Sequence, residues 1–165
     1  MKNFKKFALI LGFILLPVLG GAISGYFSLS GINDWYVSLN KPPLNPPGWI
    51  FGPVWTTLYI LMGLSSYFVF SKKYLFLKKK KKFIRKMALL FYFLQLALNF
   101  LWSFMFFNLE SPFLALINVA VLFVLILLTI FYSYKVKKIA GYLLIPYILW
   151  VSFASYLTLM IFLLN

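Results

Sequence analysis

Apolar residues in this chain gather into five long runs separated by short polar stretches. The runs lie near Phe7–Leu29, Gly48–Phe70, Phe83–Phe107, Pro112–Tyr134 and Ala140–Leu164. Each is long enough to cross a bilayer, which takes about 20 residues of helix. Unpaired backbone N–H and C=O groups are too costly in hydrocarbon, so each run is predicted to be helical. Strands of a membrane barrel would alternate apolar and polar positions, and these runs do not. The expected fold is therefore an all-α integral membrane protein, a five-transmembrane-helix bundle forming one domain over residues 1–165. The link Asn108–Ser111 is short enough to force the third and fourth helices antiparallel. The only extended outer connection is Ser30 to Pro47, residues 30–47.

The polar breaks carry the charge. Of sixteen lysines and arginines, every one but Lys41 falls at alternate breaks: Lys2, Lys5 and Lys6, then Lys72, Lys73, Lys78 to Lys82, Arg85 and Lys86, then Lys135, Lys137 and Lys138. Basic residues are retained on the cytoplasmic side. The N-terminus is thus expected inside, the C-terminus outside, and the residue 30–47 connection outside. The first run follows three lysines as a signal peptide would, but it is too long and no A-x-A-like site follows, so it reads as a retained helix. The Lys78–Lys82 run reads first as a solvated topology signal and second as a seat for anionic lipid headgroups, a membrane partner. The net charge of +14 sits between apolar runs rather than on one face, which argues against nucleic acid as a partner.

Composition then narrows the chemistry. The chain is 64% hydrophobic, with no cysteine and no histidine. Disulfides, thiolate nucleophiles and imidazole bases or metal ligands are all excluded. The two acids, Asp34 and Glu110, lie in different connections, so no acid pair is in prospect. No metal site and no obligatory cofactor are expected, and an acid–base or metal enzyme is not.

What remains is an aromatic and polar pattern. Pro42, Pro43, Pro46 and Pro47 stiffen the outer connection, and Asn33 or Asp34 is expected to cap a short helix with Trp35 and Leu39 on one face. All five tryptophans fall between the midplane and the outer surface. An interfacial belt accounts for Trp35 and Trp49, and for Trp102. Trp55, about 10 Å into its helix at 1.5 Å per residue, and Trp150, near the middle of the last run, read instead as facing an interior pocket. Polar residues keep helical spacing: Gln95, Asn99, Ser103 and Phe106 form one stripe, Tyr147, Trp150, Ala154 and Thr158 another, and Trp55, Tyr59, Met62 and Ser66 a third. Amides and hydroxyls avoid lipid, so these faces, and Asn118, are expected inside the bundle. Interhelical hydrogen bonding accounts for Gln95 and Asn118; Asn99 stands between that role and a ligand contact. Gly21 and Gly25, with Gly20 and Ser24, allow close helix approach, either within the bundle or in the seam of a homodimer.

Three segments, WYVSLNKPPLNPPGWIFGPVWTTLY (Trp35–Tyr59), QLALNFLWSFMFF (Gln95–Phe107) and LLIPYILWVSFASYL (Leu143–Leu157), resemble the translocator protein family, also called tryptophan-rich sensory proteins or peripheral benzodiazepine receptors. The resemblance covers nearly the whole chain. It implies a bundle with an outer-opening pocket capped by the first loop. It implies a receptor or carrier for porphyrins and haem-type tetrapyrroles, or another apolar small molecule, with a sensory role. The ligand residues it implies are Tyr36, Pro46, Trp55, Asn99, Trp150 and Ala154. Some bacterial relatives promote light-dependent porphyrin breakdown. That would make Trp55 and Trp150 the reactive residues and the protein an enzyme-like degrader. A third possibility is sterol or lipid transport, but no basic residue follows Tyr156, so the sterol-recognition pattern of the animal proteins is absent. Thr158 stands where many relatives have asparagine. With no transit peptide apparent, a prokaryotic plasma membrane is the expected location.

Overall fold

The computed structural model of the protein describes residues 2–71 and 79–165; Lys72, Lys73 and Lys78 of the expected inner charge cluster lie outside them. Among the described residues, five helical stretches are long and apolar enough to cross a membrane: Phe4–Phe27, Gly48–Phe70, Lys79–Asn108, Pro112–Val136 and Lys138–Leu164. The architecture is the all-helical membrane bundle that the five apolar runs require.

The boundaries move for local reasons. Helix α1 (Lys2–Phe27) stops before Leu29. There the Ser28 hydroxyl turns back to donate to the Ser24 carbonyl at 2.8 Å. The chain continues as two short helices, α2 (Leu29–Asn33) and α3 (Trp35–Ser38), so half of the supposed loop is helical. Asp34 occupies the position before α3, but neither it nor Asn33 caps the helix with its side chain. The reason is backbone geometry: Asp34 is itself in the helical region, at φ −103 and ψ −75, whereas a capping side chain needs an extended residue to reach the free N–H groups.

After α4 (Phe51–Phe70), α5 (Lys79–Ser103) begins before Phe83, because lysines are good helix formers and extend the helix beyond its apolar part. Its last turn widens, with the Leu109 N–H reaching the Phe104 carbonyl at 3.0 Å, and Glu110 takes a left-handed φ of 50 to turn the chain. Helix α6 (Pro112–Val136) then starts on Ser111, whose hydroxyl accepts from the Leu114 N–H at 3.3 Å. The fifth span is broken into α7 (Lys138–Tyr142) and α8 (Ile145–Leu164), with Pro146 in the first turn of α8, where its missing N–H costs nothing.

Helix α1 lies against α4 and α5, α6 lies between α5 and α8, and α4 also touches α6 and α8, which closes a ring of five spans. Met62, Tyr92, Leu96, Leu122, Ile126 and Tyr147 form its buried centre. Glycine lets α1 come close. A Cβ at Gly20 would collide with the Phe100 ring and one at Gly21 with the Tyr59 ring, while Gly63 lies against the α1 backbone at Phe13 and Ile14. Gly25 departs from the close-packing expectation: it has nothing within 4 Å.

Arg85 also departs from the pattern of exposed topology charges. It is fully buried. Its Nε donates to the Val69 carbonyl at 2.6 Å and its Nη2 to that of Phe70. Those are the last two carbonyls of α4, in the turn where helical C=O groups run out of intrahelical donors. The guanidinium therefore closes α4 at its negative pole and fixes the start of α5 to it.

Candidate functional site

A cavity of about 860 Å³ lies in the half of the ring nearer the connection between α1 and α4, beneath that connection. All five spans reach it. Helix α1 contributes Val18, Gly21, Ala22 and Gly25, so the small residues that tighten one part of the α1 contact leave room in another. Tyr36, Pro46, Trp55, Asn99, Trp150 and Ala154, the six positions marked in the sequence, all line it. None of the six lies elsewhere.

The roof is a self-bonded unit. The Tyr36 hydroxyl donates to Asn45 Oδ1 at 3.0 Å, and the Asn45 N–H reaches the Pro42 carbonyl at 2.9 Å. Burial pushes the Tyr36 phenol up, an effect that its bond to Asn45 only partly offsets, so the hydroxyl stays protonated as a donor. Lys41 folds over the Tyr36 ring at 4.7 Å and donates to the Val37 and Leu39 carbonyls. A reciprocal amide clasp ties the roof to α8. The Asn40 N–H donates to Asn165 Oδ1 at 2.9 Å, and Asn165 Nδ2 donates to the Asn40 carbonyl at 3.1 Å.

The walls are aromatic. Trp55 stacks on Tyr59 at 5.5 Å and meets Tyr147 edge-on at 6.3 Å. Trp102 stacks on Phe106 at 4.9 Å. This corrects the belt assignment of Trp102, which shares its helix face with Asn99, Ser103 and Phe106; that spacing was the available signal. Trp35 also leaves the belt, packing edge-on against Phe106 at 5.4 Å with Leu39 on the same cluster. Trp49 points outward and is 75% exposed, as an interfacial tryptophan would.

The floor is polar and linked by side-chain hydrogen bonds, with the Gln95 Nε2 amide left without a partner. Tyr59 Oη donates to Asn99 Oδ1 at 2.7 Å, Asn99 Nδ2 donates to Tyr147 Oη at 3.1 Å, and Tyr147 Oη donates to Gln95 Oε1 at 2.7 Å. Gln95 thus bonds between helices as expected, whereas Asn118 is buried with its Oδ1 unpartnered. Asn99 is a node in this chain and a wall of the cavity together, with one N–H and one lone pair still to offer. Thr158 lines the cavity but donates to its own Ala154 carbonyl at 2.8 Å, so toward the cavity it is an acceptor only.

Lys41 is the one charged side chain on the described wall, and among the described residues no three His, Cys, Asp or Glu side chains come together. The arrangement can hold a flat apolar molecule with a polar or anionic edge. It offers no acid–base pair to act on one.

Residues 13–164 match the model of the TspO/MBR family. The chain belongs to the TspO/MBR family. It is 38% identical over 152 residues to the tryptophan-rich protein TspO of Archaeoglobus fulgidus, covering 92% of this chain and 94% of that protein. It is 36% identical over 146 residues to the translocator protein of Bos taurus, covering 88% and 83%. With the tryptophan-rich sensory protein of Cereibacter sphaeroides it shares 35% identity over 123 residues, 74% of this chain and 72% of that one. A TspO/MBR protein is a multi-pass membrane protein, and in this one the matched residues include every described side chain on the cavity wall.

Proposed function

We propose that this protein is a membrane receptor or carrier that binds porphyrins or related tetrapyrroles in the cavity beneath the 30–47 connection, and that binding serves a sensory role. The observation that carries the reading is the convergence of Trp55, Trp102 and Trp150 with Tyr36 and Asn99 on one space of about 860 Å³. That volume falls within the roughly 300–1,000 Å³ of small-molecule sites. Stacking on indole and phenol rings suits the broad face of a macrocycle, and Lys41 with Asn45 at the roof suits its propionates. The sensory half is supported only by kinship with the Cereibacter protein that bears that word in its name.

A second reading, light-driven breakdown of a bound porphyrin, is favoured by one contact. Trp55 stacks on Tyr59, so an indole beside an excited ligand has an adjoining electron-rich ring. Titration of purified protein with protoporphyrin, followed by tryptophan fluorescence in darkness and then in light, separates the readings. Quenching with porphyrin absorbance intact is expected for a receptor or carrier. Bleaching in light that disappears in Trp55→Phe or Trp150→Phe would establish the degrader. No quenching at protoporphyrin concentrations near 100 µM, on the order of an upper KM-like range, would remove both.

The orientation belongs to the same proposal. The described lysines of α1, of the start of α5 and of the α6–α7 junction fall at one end of the antiparallel ring, and Lys41 at the other. The positive-inside rule then places the N-terminus in the cytoplasm of a prokaryotic cell, with the cavity roof outside. Lys79 to Lys82 are exposed and suit anionic headgroups of the inner leaflet.

A further inference from the structure

The cavity has a roof clasped to α8, so the route by which an apolar molecule enters is a question the fold must answer. A second hollow, about 680 Å³, lies outside the ring along the seam between α4 and α8. Pro53, Thr57 and Leu61 line it from α4, and Pro146, Leu149 and Phe153 from α8. Trp150 lines this groove and the cavity as well. Its indole is the partition between them.

We propose that the α4–α8 seam is a lateral doorway, through which an apolar ligand dissolved in the bilayer passes into the cavity, with the Trp150 side chain as the movable leaf. The inference rests on the cavity being a ligand site. Four observations support it. The groove is lined by apolar side chains, and its one hydroxyl, on Thr57, is already donated to the Pro53 carbonyl at 2.9 Å, so a hydrocarbon guest leaves no polar group unpaired. The Trp150 indole N–H is buried without a partner, so turning the ring breaks no hydrogen bond. The ring meets two aromatic neighbours, Phe51 edge-on at 6.0 Å on the cavity side and Phe153 tilted at 5.7 Å on the groove side, and otherwise packs against the apolar core, so only non-directional contacts hold it. Finally, α4 and α8 approach each other along far less of their length than α5 and α6 do, so a side chain rather than packed backbone fills the seam.

Thr57→Phe and Leu149→Phe fill the groove without touching the cavity wall. With protoporphyrin supplied in liposomes and stopped-flow tryptophan quenching as the readout, each variant is expected to slow association and dissociation alike by about fivefold or more while Kd stays within about twofold. An unchanged association rate in both variants would overturn the doorway. Asn165→Ala, which removes two of the three bonds between Asn40 and the end of α8, is expected to leave the rate near wild type; a comparable acceleration there would assign entry to the roof instead. If wild type shows no quenching at all, the tetrapyrrole reading fails and the doorway is read without it. A variant carrying Trp35→Phe, Trp49→Phe, Trp55→Phe and Trp102→Phe reports on Trp150 alone. Lipids brominated in mid-chain should quench it, and adding Thr57→Phe should relieve that quenching. Absence of quenching there would show Trp150 sealed from the bilayer and end the inference.

Discussion

Gly21 and Tyr59 form the contact on which most other site residues depend. The missing Cβ of Gly21 admits the Tyr59 ring, whose hydroxyl bonds Asn99 and whose face carries Trp55. Gly21→Val must push that ring aside, since overpacking a fitted contact costs about 1–3 kcal/mol. Thermal unfolding in detergent should fall accordingly, and protoporphyrin quenching should weaken with it. Trp55→Ala removes one stacking face and is expected to cost binding about 1–3 kcal/mol, the scale of a single aromatic–base stack, with a lower unfolding temperature as well, because the ring also packs on Tyr59 and Tyr147. Equal affinity in isothermal titration would take Trp55 out of the site. Trp55 and Asn99 were recognisable in sequence because helical spacing put them on polar or aromatic stripes. Lys41 was not, since its place on the cavity wall comes from a fold-back over Tyr36 that no periodicity records.

At the level of elements, two joints hold the site in shape. The first is the Asn40–Asn165 clasp between the roof and α8. Its bonds are exposed, where each contributes about 0.5–1.5 kcal/mol. Asn165→Ala is therefore expected to raise amide exchange across residues 39–47 while leaving exchange in α4 to α6 as it was. The second is Arg85, which closes the end of α4 from α5. Arg85→Met leaves the Val69 and Phe70 carbonyls short of that donor, and stranding buried acceptors is expected to destabilise by about 1–3 kcal/mol. Arg85→Lys should recover only part of this, because an ammonium cannot reproduce the planar two-carbonyl geometry. Equal unfolding temperatures for the two variants would contradict the capping role. The sequence showed Arg85 only as one more cation in a basic run; its burial is decided by where α4 ends. The helical half of the outer connection was equally hidden, since five-residue helices leave too little periodicity to detect and are stabilised by packing rather than by propensity.

The whole molecule is organised by its asymmetry of charge and by a ring that opens a cavity at the end carrying the 30–47 connection. With no native cysteine, single substitutions report orientation cleanly. In intact cells Lys41→Cys is expected to react with a membrane-impermeant maleimide, and Lys138→Cys only after permeabilisation. The reverse pattern would invert the topology and put the cavity roof in the cytoplasm.

The sequence alone determined that this chain crosses the membrane five times as helices, because a bilayer accepts nothing else from such runs, and that histidine and thiolate chemistry is unavailable to it, because it has no histidine and no cysteine. It also contained Trp55, Asn99, Trp150 and Ala154 as stripe residues, since helical period reveals which residues share a face, while Tyr36 and Pro46 came only with the family resemblance. Only the tertiary structure decided that those faces meet around one space, that Trp102 joins them, that Arg85 turns inward, and that Trp150 borders both the cavity and the groove between α4 and α8. Those outcomes depend on how neighbouring helices approach, and the distance between two helices is set by contacts far apart in the chain rather than by the spacing of residues along either one.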